Sequence, residues 1–165
     1  MFGKNILLDV NGSLKISDFG FATLHIETND DKGNLEVELL HSTCGTPNYV
    51  APEVLKNCGY NGKISDIWSC GVILFVLLAG YLPFEEERLS VLFAKIKAAI
   101  FEFPLWFSYD AKDILRRILV PDPVKRLTLE DIKSHRWMAI DSETSALLSC
   151  KRDSTSTPPS SHLCR

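Results

Sequence analysis

Residues 67–84 carry no charge, and within them residues 73–78 (I-L-F-V-L-L) are apolar at every position. A helix that is apolar on every side must be buried, in a protein interior or in a bilayer, so this stretch constrains everything around it. Trp68, Ser69, Cys70 and Gly71 dilute its first turns, and Gly80 and Pro83 punctuate its end. About 14 helical residues remain, roughly 21 Å long, short of the ~30 Å hydrocarbon core of a bilayer. No cluster of Lys or Arg flanks either end to set a membrane orientation. The stretch, together with Asp66 before it, reads as a buried core helix, and no membrane partner is expected.

At 165 residues, 45% hydrophobic and 24% charged, the chain has ordinary values for one globular domain. The formal net charge of -3 gives no reason to expect a nucleic-acid partner. Its five cysteines (Cys44, Cys58, Cys70, Cys150 and Cys164) are odd in number, widely spaced and without a C-x-x-C pair. That argues against a disulfide scaffold or a zinc site and suits a reducing compartment. The opening M-F-G-K-N shows no secretory h-region. A cytoplasmic location is expected, with the nucleus also open.

Taken in order, two short apolar runs, residues 5–9 and 14–17, flank Val10-Asn11-Gly12-Ser13. Asn-Gly between such runs predicts a β-hairpin, because both residues tolerate positive φ. Residues 27–38 are polar and aperiodic and read as a long, mobile surface loop. Pro47 and Pro52 forbid a continuous helix over residues 41–53, which predicts an ordered but irregular segment. Beyond the central helix, Leu89, Leu92, Phe93, Ile96 and Ile100 recur at helical spacing. Ser108 is a candidate N-cap for a helix with Ile114, Leu115, Ile118 and Leu119 on one face. Pro121-Asp122-Pro123 stops that helix, and the capping-box pattern of Thr128 and Asp131 starts a last short one, with Trp137 packed behind it. From Asp141 the composition turns to Ser, Thr and Pro, too poor in apolar groups to offset the entropy of ordering.

Asn5, before the hairpin, and Asp18, at its exit, can converge on one point beside Gly20. A carboxylate and an amide carbonyl placed together there would suit an oxygen-seeking divalent cation such as Mg²⁺. The bland alternative is an Asx turn at each end. In order along the chain come N-I-L-L-D (5–9), D-F-G (18–20), C-G-T-P-N-Y-V-A-P-E (44–53), S-D-I-W-S-C-G-V-I-L (65–74) and D-P-V-K-R-L-T (122–128). Together they resemble the C-terminal lobe of a eukaryotic serine/threonine protein kinase over residues 5–138. Within that family the chain is most similar to the calcium/calmodulin and AMP-activated branch, and in particular to plant calcineurin-B-like-interacting kinases. Phe21 stands where that group usually has Leu.

The resemblance implies a mainly α fold: a short β-hairpin and a helical bundle around a buried central helix, with the N-terminal lobe absent. It implies a partial kinase domain over residues 1–138 and a disordered tail over 139–165. It assigns Asn5 and Asp18 to the Mg²⁺ ions that bridge the phosphates of ATP. Glu53 would pair with Arg126, and Asp66 would accept hydrogen bonds from the catalytic-loop backbone. Gly45, Thr46 and Pro47 would shape the pocket beside the phosphoacceptor. Ser42 or Thr43 would be the phosphorylation site on the activation loop, set by an upstream activating kinase. The substrate would be a protein carrying a Ser or Thr acceptor, in signal transduction.

In the family's catalytic loop, H-R-D-x-K-x-x-N, Asn5 takes the last position, so the catalytic Asp would precede Met1, and Phe2 stands where the Lys belongs. The ATP-anchoring Lys and the glycine-rich loop would lie further upstream. The expectation is a kinase fragment, inactive alone and binding ATP weakly or not at all. Its M-F-G-K start would come from a mispredicted exon, a truncated transcript or a genuine short isoform. The alternatives are a non-catalytic kinase-like interaction module and, last, a membrane-anchored protein.

Overall fold

The central helix sets the frame. In a computed structural model, which describes residues 5–23, 27–29, 35–37, 39–40, 46–56 and 58–139, the 18-residue helix α1 spans Gly62–Ala79. The Asn61 side chain caps it by accepting the Ile64 N–H at 3.4 Å. Gly80 ends it in the left-handed region (φ 83°), a conformation that glycine adopts without Cβ strain. The helix is longer than its apolar stretch suggests, because the cap four residues before Ser65 starts it inside the polar segment. Phe84 lies beyond it and folds back to stack on Trp68, with ring centroids 5.7 Å apart.

Burial of α1 differs from the expectation of a helix covered on every side. Ser65, Trp68, Gly71, Val72, Phe75 and Val76 form a buried stripe, whereas Leu77 is 75% exposed and Cys70 faces solvent. By length and composition alone the helix could cross a membrane, but its buried stripe is packed against protein. The closest approach is at Gly71, where a Cβ would run into Ile118 Cγ2 and stand 3.1 Å from Leu119 Cδ2.

Ile118 is the last residue of α3, Tyr109–Ile118, and Leu119 is its C-cap. Ser108 caps the start of this helix, accepting the Ala111 N–H at 3.1 Å. Its buried residues Ala111, Ile114, Leu115 and Ile118 follow the helical period and face α1. Helix α2, Leu89–Ala98, buries Leu92 and Ile96, but Leu89 and Ile100 remain largely exposed. Ala99 turns left-handed (φ 48°) and ends the helix, so Ile100 never joins the face that the spacing gave it. Helix α4, Leu129–Ser134, carries the expected capping box. Asp131 Oδ2 accepts from the Thr128 hydroxyl and amide, and these bonds hold its carboxyl below the usual carboxylate range.

Phe101, Phe103 and Phe107, on the connection from α2 to α3, meet Phe75 edge-on or tilted at 5.4–6.3 Å. Arg116 covers the Phe103 ring at 5.1 Å. These rings sit on a non-helical segment, where a search for helical spacing does not see them.

Strands β1 (Ile6–Leu8) and β2 (Leu14–Ile16) form the anticipated hairpin, in the register Ile6↔Ile16, Leu7↔Lys15 and Leu8↔Leu14. Its turn works differently from the Asn-Gly expectation. Gly12 alone takes positive φ (76°), and Asp9 closes the loop, its Oδ1 accepting from Asn11 N and Ser13 N at 2.9 and 2.8 Å. A second antiparallel pair, β3 (Glu27–Asn29) with β4 (Leu35–Val37), lies where the sequence reads as a plain loop. Backbone pairing of this kind needs no apolar alternation, so the sequence does not announce it.

The Gly71 contact is directly testable. Gly71→Ala is expected to lower unfolding free energy by about 1–3 kcal/mol, the usual cost of overpacking, as a leftward shift of the urea midpoint; an unchanged midpoint would show that α1 and α3 separate at no cost.

Candidate functional site

The base of the first hairpin brings its two ends together. Ser17 N donates to the Asn5 carbonyl at 2.9 Å, one step outside the Ile6↔Ile16 pair. Asn5 Nδ2 then lies 3.4 Å from Asp18 Oδ2. Asp18 is in the left-handed region (φ 65°), uncommon for a residue with a side chain and least costly for Asn and Asp. The Gly20 N–H donates to Asp18 Oδ1 at 3.3 Å, and a Cβ at Gly20 would stand 3.2 Å from that oxygen. The turn thus aims the Asp18 carboxylate back over the hairpin base, and glycine at position 20 leaves it room.

An exposed carboxylate beside an amide is a donor set made of oxygen. Among the described residues no group of three or more His, Cys, Asp and Glu is placed to hold a metal, so a soft, protein-caged ion does not fit. Mg²⁺, which keeps waters and takes substrate phosphates as its other ligands, fits a one-carboxylate site. The Asn5 carboxamide presently donates its N–H to Asp18; turned over, it presents Oδ1 to the same point.

The hairpin and the segment after it expose apolar side chains: Leu8, Ile16, Phe19 and Phe21 are 72%, 65%, 70% and 77% exposed. Large apolar side chains left exposed close together in sequence suit a face that meets another surface. Behind Phe19 and Phe21 lies a cleft of about 490 Å³, whose other wall includes Tyr49, Val54, Ser65, Asp66 and Ser69. Asp66 has no side-chain hydrogen bond among the described residues. The protein packed around it raises its carboxyl above the usual range, and the Cys70 thiol is raised by protein packed around its sulfur, although the residue as a whole is exposed, and then by the charge of Asp66.

Glu53 and Arg126 are in contact across 73 residues of sequence, both buried. The guanidinium is bidentate on the carboxylate, Nη1 to Oε1 at 2.6 Å and Nη2 to Oε2 at 2.8 Å. Its other N–H bonds go to the carbonyls of Ile64, at 2.8 Å, and Val120, at 3.1 and 3.3 Å. Every donor of the fork is thereby satisfied, and its flat face lies 5.2 Å over the Trp68 ring. Trp68 Nε1 itself is buried without a partner among the described residues. Nearby, Pro47–Tyr49 forms a 3-10 turn with Thr46 before it. Asn48 donates to the Phe84 carbonyl and Ser69 to the Tyr49 carbonyl, both at 2.9 Å. Residues 46–56 are thus fastened at Ser69 of α1, at Phe84 beyond it and at Arg126. Ser42, Thr43 and Gly45 lie outside the described residues.

Sequence reasoning missed a polar cluster under α4. The His135 ring bonds Asp113 through Nε2 at 3.0 Å and accepts the Trp137 N–H at Nδ1 at 3.1 Å. With Arg117 alongside, the His135 bond holds the Asp113 carboxyl below the usual range. The H-x-W spacing of residues 135–137 is the only sequence signal for it.

Asp66 gives a pH-dependent test. Because folding raises its carboxyl pKa, the folded state binds the proton more tightly, and stability is lost as pH rises through that raised value. Asp66→Asn is expected to raise the melting temperature at pH 7, the gain fading as pH falls through the raised value and gone below about pH 3.9, the unperturbed aspartate value; a variant that melts lower at pH 7 would show that the carboxylate has a stabilising partner.

Residues 3–138 match the protein kinase domain family. CBL-interacting protein kinase 33 of Oryza sativa subsp. japonica is 55% identical over 134 residues, which cover 81% of this chain and 28% of that protein. CBL-interacting serine/threonine-protein kinase 24 of Arabidopsis thaliana is 54% identical over 138 residues, 84% of this chain and 29% of that protein. The chain therefore spans less than a third of the length of these relatives. Proteins of this family use ATP and Mg²⁺ and transfer phosphate. With a family match over residues 3–138 and more than half of the aligned residues identical, the chain belongs to the protein kinase family and is similar to the plant CBL-interacting serine/threonine kinases.

Proposed function

We propose that these residues are the C-terminal lobe of an ATP-dependent serine/threonine protein kinase, residues 1–138, followed by a tail over residues 139–165. The observation that carries the reading is the Asn5–Asp18 pair at 3.4 Å on the hairpin base, with Gly20 behind it. In this reading Asp18 and Asn5 hold Mg²⁺, which when bound neutralises charge on the phosphates of ATP. The hairpin fixes the two side chains relative to each other, and positioning is most of what a protein contributes to phosphoryl transfer. Thr46 and Pro47, tied to α1 through their 3-10 turn, would shape the pocket for the residue beside a Ser or Thr acceptor. Ser42 or Thr43, set before them, would take the activating phosphate from an upstream kinase.

The exposed apolar hairpin, and an Asp66 carboxylate with no side-chain hydrogen bond among the described residues, support the view that more kinase polypeptide, including the catalytic-loop Asp and an ATP-anchoring Lys, completes the site. The relatives are named for interaction with CBL proteins, and we extend a partner of that kind, calcineurin-B-like, to the whole protein to which these residues belong, in the cytoplasm.

The test has two arms. A polypeptide limited to these 165 residues is expected to transfer no phosphate to a Ser/Thr peptide with Mg·ATP; activity that Asp18→Ala abolishes would overturn that. Residues 5–138 grafted into the matching region of the Arabidopsis kinase 24 are expected to give an active enzyme. In that chimera Asp18→Ala should lower kcat/KM by about 10²-fold or more, the scale of losing a preorganised electrostatic group. A folded but inactive chimera would overturn the kinase reading and favour a non-catalytic interaction module.

A further inference from the structure

Asn11-Gly12, at the hairpin tip, takes no part in the chemistry above. Two Asn-Gly pairs occur in the chain, Asn11-Gly12 and Asn61-Gly62, and the structure treats them oppositely. Asn11 is exposed, and its carboxamide has no hydrogen-bond partner among the described residues. Gly12 has φ +76°, and nothing lies within 4 Å of the position that a Cβ would take. Asn61, by contrast, is the N-cap of α1, with its Oδ1 accepting from Ile64 N. Gly62 is already helical, and Leu40 crowds it.

We propose that Asn11 is a site of spontaneous covalent modification to aspartate and isoaspartate, while Asn61 is protected. The reaction requires the main-chain nitrogen of Gly12 to reach Cγ of Asn11. That nitrogen attacks Cγ, the Cγ–Nδ2 bond breaks, and the amide proton leaves with the side-chain nitrogen as ammonia. The five-membered succinimide so formed is opened by water. Opening at Cγ leaves aspartate; opening at the main-chain carbonyl leaves isoaspartate. The net change is carboxamide plus water to carboxylic acid plus ammonia, with no oxidant or cofactor. An unsubstituted Gly12 leaves the attacking nitrogen unhindered.

The hairpin also restrains the step. Gly12 N donates to the Asp9 carbonyl at 2.9 Å, and Asp9 Oδ1 holds Asn11 N and Ser13 N. These bonds must open before the nitrogen can turn onto Cγ. Asp9 is therefore a restraining residue, and the rate is set by how often a loop tip opens. The product adds a negative charge beside Asp9, and the isoaspartyl form inserts one more carbon into the main chain of the turn.

The experiment is incubation of the full chain at mildly alkaline pH and 37 °C, followed by proteolysis, mass spectrometry of the 5–17 and 58–68 regions, and enzymatic methyl transfer to detect isoaspartyl groups. Acid should accumulate at Asn11 and not at Asn61, more slowly than in the free peptide V-N-G-S-L. Asp9→Ala should speed conversion at Asn11 several-fold, and Gly12→Ala should suppress it. No conversion at Asn11 while the free peptide converts fully would overturn the proposal, as would equal conversion at Asn61. An unchanged rate in Asp9→Ala, with circular dichroism matching the parent chain, would overturn the restraint.

Discussion

The pair Glu53–Arg126 is the interaction on which the remaining structure depends. Arg126 sits on the loop between α3 and α4, Glu53 on the irregular segment before α1, and the carbonyls of Ile64 and Val120 complete the fork. One side chain thereby joins the start of α1, the end of α3 and residues 46–56. A buried ion pair is not in itself strong evidence for stability, since desolvation offsets much of its attraction. Its geometry matters more here, because no N–H of the guanidinium is left without an acceptor and the charge lies over Trp68. Removing either partner strands a charge in an apolar setting, so the three segments are held as one unit or not at all.

From that joint the molecule becomes less covered toward the hairpin. The core stripe of α1 is closed over by α3, Phe84 and the Phe101–Phe103–Phe107 rings, while Leu8, Ile16 and Phe21 stay open. The Asn5–Asp18 pair stands on this open side, and so does Asp66 with its raised carboxyl. The core around α1 is well packed, and the Asn5–Asp18 pair stands on the side left bare. This polarity suits a site completed by further protein.

Much of this was legible in the residues. The Ser108 and Thr128 caps, the α3 face and the hairpin follow from local chemistry that acts within a few positions. The contact of Asn5 with Asp18 follows from their places at the two ends of the hairpin, whereas the pairing of Glu53 with Arg126, 73 residues apart, came only from the kinase resemblance. What stayed hidden is non-local or backbone-driven. The one-sided burial of α1 depends on what packs there, and its apolar outer face carries no mark of being outside. The β3–β4 pairing has no side-chain pattern, the Phe cluster lies on an irregular segment, and Asp9 closes a turn that Asn-Gly seemed enough to explain.

The most direct test of the Glu53–Arg126 joint is a double-mutant cycle by urea unfolding with Glu53→Gln and Arg126→Met, read together with amide exchange over residues 47–56. Arg126→Met alone is expected to cost about 3–5 kcal/mol, and adding Glu53→Gln to recover part of it by removing the stranded charge. Amides of residues 50–56 should lose protection in the single variant. Additive effects of the two substitutions, with exchange over 47–56 unchanged, would contradict both expectations.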